Sequence, residues 1–284
     1  MKLKIIFISF FSSILLSIAS YGQTQPVPYP LWTGGAFPKT EEIPILQNVE
    51  FRMIKKFQRE VDGYGFQHGV ALAWHKRKLY ASFALNKGGE NTAGEEAHWK
   101  FSSDSGKTWS NLRLIAKGAE GQSVSHGVFL SYKGKLWAFH AEFTGIMDNL
   151  HTNAYILNES TDKWVSQGTV VKNGFWPLQE PQKMENGNWI MAGARVSEGN
   201  PAAVAISRGD DLTKWDLVVI PQNIAGNMWG ESSVIIDCEK IMNIARYGEK
   251  AKALVASSED YWTRRIKYPV SAGANWFFIN LGDV

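Results

Sequence analysis

The sequence predicts an all-β fold, a β-propeller of four-stranded antiparallel blades, on three observations. Four modules of one strand pattern recur in phase, each module carries a short polar turn followed by tryptophan, and the strands are short runs rich in β-branched and aromatic residues. A β-sandwich also repeats strands every 8 to 12 residues or so, but it does not account for four modules in phase.

The opening strands read HGVALAW from His68, HGVFLSY from His126, EPQKMEN from Glu180 and ESSVIID from Glu231, at spacings of 58, 54 and 51 residues. Second strands follow a polar turn: KLYASFALN from Lys78, KLWAFHAEF from Lys135, NWIMAGARV from Asn188 and KIMNIARYG from Lys240. Third strands run into the turns in HWKFSSDSGKTW, AYILNESTDKW, AVAISRGDDLTKW and ALVASSEDYW, and fourth strands are predicted at LRLIA, GTVVK and DLVVI. This is the cadence of a propeller blade. The most specific turn is SSDSGKTW, Ser102 to Trp109. Ser102 and Asp104 can accept backbone N–H groups two or three residues on, Gly106 admits a turn conformation, and Thr108 and Trp109 return to strand chemistry.

Residues 1–22 read as a secretory signal peptide: Lys2 and Lys4 precede an apolar stretch from Ile5 to Ile18 that is broken by serines and too short to span a bilayer. A secreted or periplasmic protein with no membrane span in its mature chain is expected. Residues 23–62 form a Pro-rich leader with the option of a closing strand, 63–261 hold the blades, and 262–284 lose the periodicity and read as an irregular tail. Cys238 is the single cysteine, so no internal disulfide can form. Formal charge is +3, of which Lys2 and Lys4 supply two, and nothing suggests a nucleic-acid partner. No metal-ligand spacing, phosphate loop or Ser-His-Asp order stands out, so no cofactor and no metal are expected.

Antiparallel strands place the chemistry. If inner strands start at one face, second strands return to it, so His68, His126, Glu180 and Glu231 converge with His140, Arg195 and Arg246, and the polar turns fall on the opposite face. Two cations, two carboxylates and several imidazoles around one mouth suit an anionic sugar. The same charges can instead satisfy each other as Glu180–Arg195 and Glu231–Arg246 pairs. Imidazole serves as acid or base near neutral pH, a role open to His68, His126 and His140. His75 and His151, nearer to turns, are expected to be solvated, as are Glu90, Glu95 and Glu96 in the loop KGGENTAGEEA. Trp176 and Trp229 precede inner strands, where they can stack on sugar or pack between blades.

The pattern Ser102, Asp104, Gly106, Thr108, Trp109 resembles the Asp box of sialidase-like, BNR-repeat propellers, in which this turn is structural. The resemblance runs from about His68 to Asp260. GESSVIIDCEKIMNIAR is similar to the sialidase segment in which a Glu opening one strand is followed by an Arg on the next, which matches Glu231 and Arg246. FRMI at Phe51 departs from the sialidase Phe-Arg-Ile-Pro element at Ile54, and no equivalent of the nucleophilic Tyr is found.

GFQHGVALAWHKRKLYASF and SHGVFLSYKGKLWAFHAEF are most similar to a secreted group of propellers, ulvan lyases and α-L-rhamnosidases, that act on rhamnose–uronate linkages. The lyases use His, Tyr and Arg, which implies roles for His126, His140 and Arg195, with the Tyr falling near Gln179. The rhamnosidases depend on a single His on the face opposite the lyase site; it carries to His68, with His75 the competing position. The implied function is hydrolysis of a glycosidic bond next to a uronic acid, by an α-L-rhamnosidase with an anionic oligo- or polysaccharide as partner. An ulvan-type lyase, an exo-sialidase and a non-catalytic glycan-binding propeller are the alternatives. About four modules fall short of the six or seven blades usual among such relatives, so an incomplete propeller, truncated or frame-shifted, is expected.

Overall fold

In the computed structural model, which describes residues 36, 39–220, 227–237, 240–247, 252–258 and 275–280, the strands pair into four antiparallel sheets. The first holds β1 (Phe66–His75), β2 (Lys78–Asn86), β3 (Glu96–Ser102) and β4 (Arg113–Lys117) in chain order. The second holds β5 (Gln122–Tyr132), β6 (Lys135–Thr144), β7 (Asp148–Asn158) and β8 (Lys163–Val171) in the same order. In the third, β9 (Phe175–Pro177) and β10 (Gln182–Lys183) both pair with β11 (Trp189–Arg195), followed by β12 (Ala202–Arg208) and β13 (Asp211–Val219). The fourth comprises β14 (Ser232–Asp237), β15 (Lys240–Tyr247), β16 (Lys252–Ser258) and β17 (Asn275–Asn280). These are four blades of a β-propeller.

The second strands read as near-continuous apolar runs because both of their faces are covered. Between the first two blades Tyr80, Trp99, Phe129 and Leu136 form one core, with Trp164 edge-on to Trp99 at 5.9 Å. Phe139, Met191, Trp189 and Trp215 fill the next interface, and Ile190, Val204 and Ile241 the third. Each such side chain stabilises the fold by about 1.5–3 kcal/mol on full burial.

Two expectations are corrected. EPQKMEN is not a continuous inner strand, because Pro181 lacks the N–H that a ladder needs; pairing stops after Pro177 and resumes only over Gln182–Lys183, while Leu178 and Gln179 both donate to the Ala192 carbonyl. The tail is not wholly irregular: β17, with the strand-favouring sequence NWFFIN, completes the fourth blade by pairing with β16. The described part of the leader contains a 3-10 turn, Thr40–Glu42, and one short helix, α1 (Arg59–Asp62), but no strand. The signal-peptide region and Cys238 lie outside the described residues, and among those described no helix is long and apolar enough to cross a membrane.

At the β3–β4 turn, Ser102 Oγ accepts from the Gly106 N–H at 2.8 Å and donates to Asp104, whose carboxylate in turn accepts the Thr108 N–H at 2.8 Å and the Thr108 hydroxyl at 2.6 Å. These bonds hold the Asp104 carboxyl far below the usual carboxylate range. Since Ser102 pairs with Leu79 whereas His68 pairs with Ala84, and Ala84 with Ala97, this turn and His68 lie at opposite ends of the first blade.

Candidate functional site

Both HGV repeats are β-bulges. Register slips between His68 and Ala71 in β1 and between Val124 and Gly127 in β5. Gly69 has φ +66°, and a Cβ there would stand 2.0 Å from the His126 ring; one on Gly127 would stand 1.8 Å from the Phe139 carbonyl oxygen. Only glycine admits both the slip and the close approach. The two bulges therefore bring the His68 and His126 rings edge to face, 4.5 Å between centroids, while Trp176 covers His126 at 4.9 Å.

Glu95, just ahead of β3, lies beneath these rings with no exposed surface. His68 Nε2 donates to its Oε1 at 3.1 Å, the Ser125 hydroxyl donates to the same oxygen, and the Asn91 N–H reaches Oε2 at 3.3 Å. Among the described residues no Lys or Arg pairs with it. Ser125 Oγ also meets His126 Nδ1 at 3.2 Å, so a chain of hydrogen bonds runs from His126 through Ser125 to Glu95 and on to His68. The Glu95 carboxyl accepts from Nε2 and so orients the ring, which sets Nδ1 3.7 Å from the Glu90 carboxylate. Burial, reinforced by His68 and His140, pushes the His126 pKa down to about 3. His140 is buried completely; its Nδ1–H donates to the Ser125 carbonyl at 2.7 Å, yet burial holds its pKa down at about 4.

Above this cluster opens a cavity of about 290 Å³ lined by Glu90, His126, Trp176, Trp229, Glu231 and Arg246. Trp229, 43% exposed, separates it from a wider cavity that contains Arg195, Lys172 and His151. On the other side of His126 runs a third space, lined by Val70, Leu72, Gln179 and Glu180.

The structure thus sets His126, Glu231 and Arg246 on one cavity with His68 packed against His126 behind it, and sets Arg195 beyond Trp229. It does not bring in the other two. His140 lies under the strands and reaches no described cavity, and Glu180, between β9 and β10, faces the third space instead of the mouth. The two charge pairs also part company: Arg246 holds Glu231 at 2.6 Å, whereas Arg195 donates to the Asn173 carbonyl at 3.2 Å and does not meet Glu180. His75, expected in solvent, is buried at the opposite end of the blade between Ser131 (2.7 Å) and Glu159 (3.3 Å). His68 consequently shares an end with His126 and His140, and it is His75 that occupies the opposite face to which the resemblance assigns the single histidine.

Glu95 and Ser125 were missed by sequence reasoning. Glu95 sits in a Gly-rich acidic run that reads as solvated, and only the fold buries it. Glu96, from the same run, accepts from Tyr64 at 2.8 Å and meets His98 at 3.0 Å. Spacing along the chain also hid a three-donor set, since ligand atoms of His68, Glu95 and His126 lie within 4.8 Å of one another.

No protein-family model and no curated protein matches the sequence. Solved structures match in fold. The NanB sialidase of Streptococcus pneumoniae superposes with a TM-score of 0.60 at 10% identity, over 86% of this chain and 56% of that one. A Hadza microbial sialidase, Hz136, gives 0.56 at 14% identity, over 70% of this chain and 46% of that one. Zg3597, a family 117 glycoside hydrolase from the marine bacterium Zobellia galactanivorans, gives 0.52 at 16%, over 74% and 71%. The chain spans about half the length of the two sialidases, and the likeness is to a fold used by glycoside hydrolases.

Proposed function

We propose that the protein is a glycoside hydrolase acting at the mouth formed by His68, Glu90, His126, Trp229 and Arg246, on a glycosidic bond next to a uronic acid. The observation that carries this reading is the His68–Glu95 pair. A buried carboxyl orients the imidazole so that its other nitrogen lies beside Glu90 of the cavity wall, where it takes a proton from water or, once protonated, returns one to the departing sugar oxygen. Trp229 offers a face for a sugar ring, and Arg246 and Arg195 offer cations for a carboxylate on either side of it.

The more specific reading is an α-L-rhamnosidase on rhamnosyl-glucuronate glycans, supported by the local sequence resemblance but with its histidine at the mouth, His68, and not on the opposite face where the resemblance sets it and where His75 stands. Elimination is disfavoured by Gln179, near which the resemblance sets the lyase Tyr and which has both amide atoms tied to the Val234 backbone at 2.6 and 3.1 Å. The test incubates the full chain with rhamnose-capped arabinogalactan and with the same glycan after reduction of its carboxyl groups. Release of rhamnose from the first alone is expected. An absorbing unsaturated product would replace hydrolysis with elimination, equal cleavage of both would remove the uronate requirement, and binding without cleavage would leave a lectin-like propeller. His75→Ala serves as the control for the opposite face and is expected to keep turnover.

A further inference from the structure

We propose that His68, Glu95 and His126 form a binding site for one divalent transition-metal ion of the zinc class. Two imidazoles and one carboxylate are a donor set that zinc accepts, and the paired nitrogens set it apart from the all-oxygen sites of magnesium and calcium. Tetrahedral zinc, with bonds of about 2.0–2.1 Å, holds its ligand atoms roughly 3.3 Å apart. His68 Nε2 and Glu95 Oε1 are already 3.1 Å apart, and no pair of the three donors exceeds 4.8 Å.

The surroundings are those of a built site. Glu95 is wholly buried, and its charge meets no Lys or Arg among the described residues; a buried carboxylate needs a cation or a full set of donors, and a metal ion supplies the former. Ser125 touches both Glu95 and His126 and so orients two of the ligands at once. Trp176 and the Gly69 backbone hold the His126 ring in place. Of the three ligands His126 lines the 290 Å³ cavity, which gives an ion a route to the site.

Occupancy has a chemical consequence. Metal at His68 Nε2 displaces the proton from that nitrogen to Nδ1, and the ring is then no longer free to take up another. The metal is therefore expected to inhibit the hydrolysis proposed above. That consequence rests on the hydrolytic reading; occupancy itself does not.

The experiment strips the full chain with a chelator and titrates it with Co²⁺, followed by visible absorption, then displaces the cobalt with Zn²⁺. One ion per chain with a tetrahedral cobalt spectrum is expected, lost in His68→Ala and His126→Ala and weakened at least about tenfold in Ser125→Ala. A rise in the unfolding temperature with Zn²⁺ in the native chain, absent from His126→Ala, gives a second readout that needs no substrate. Absence of a saturable spectrum, or a spectrum unchanged in His126→Ala, overturns the site. A metal-binding chain that cleaves no glycan overturns the hydrolase reading and leaves the metal site standing.

Discussion

The two ends of the blades handle charge in opposite ways. At the turn end, carboxylates collect several donors each: Asp104 is enclosed by Ser102 and Thr108, and Asp210 joins two blades by accepting from Lys133 (2.8 Å), Lys183 (2.5 Å), Tyr132 (2.8 Å) and Trp189 (3.1 Å). At the mouth end, the buried Glu95 accepts from His68, Ser125 and the Asn91 N–H and pairs with no Lys or Arg among the described residues. A network that serves stability satisfies itself, whereas one that serves chemistry keeps capacity for a ligand or a proton.

The sharpest way to break this contrast is a pair of substitutions at opposite ends. His68→Ala is expected to lower turnover by about 10² to 10⁴ with the unfolding temperature little changed, as loss of acid or base assistance does. Asp104→Ala is expected to lower the unfolding temperature and leave turnover per folded molecule intact. Steady-state rates beside thermal melts decide it, and a comparable rate loss in both variants would erase the distinction between the ends.

The buried imidazoles sharpen it next. A histidine whose folded pKa is depressed leaves the unfolded chain binding more protons between the two pKa values, so stability rises with pH across that window. For His140 the window runs from about 4 up to its unfolded value of 6.5. Stability is therefore full above 6.5 and falls on acidification toward 4, by up to about 3 kcal/mol from this residue. Urea melts of the native chain and His140→Asn across that range should show a shallower acid slope in the variant; identical slopes would contradict the assignment.

Smaller effects follow from charge and stacking. Glu95→Gln keeps the shape and removes the buried charge, so in metal-free protein it should stabilise by roughly 0.5–2 kcal/mol while reducing activity, the usual trade at functional sites. Asp104→Asn should instead destabilise and leave activity per folded molecule unchanged. Urea midpoints measured beside activity test the pair, and a destabilised Glu95→Gln would show that the mouth is as self-satisfied as the turns. Trp229→Ala removes one exposed stacking face, worth about 0.5–1.5 kcal/mol. It should raise KM by up to about tenfold with kcat unchanged; an unaltered KM would place the sugar elsewhere.

By itself the sequence determined the blade: alternating β-branched and aromatic residues, a recurring polar turn and the phase of four modules depend on neighbours a few positions away, and local chemistry writes them legibly. The Ser102 turn was readable for the same reason, since all its partners lie within four residues. Tertiary structure alone decided which polar residues share a space. Glu95 and His126 are thirty-one positions apart in separate blades, and the HGV repeats disclose nothing of the bulges until Gly69 is seen to admit a ring from the next blade. The fold also removed His140 and Glu180 from the mouth and moved Arg195 beyond Trp229. Register says at which end of a blade a side chain lies; whether it reaches solvent, a cavity or another side chain depends on how neighbouring blades pack, and that packing couples residues too distant in sequence for any local pattern to record.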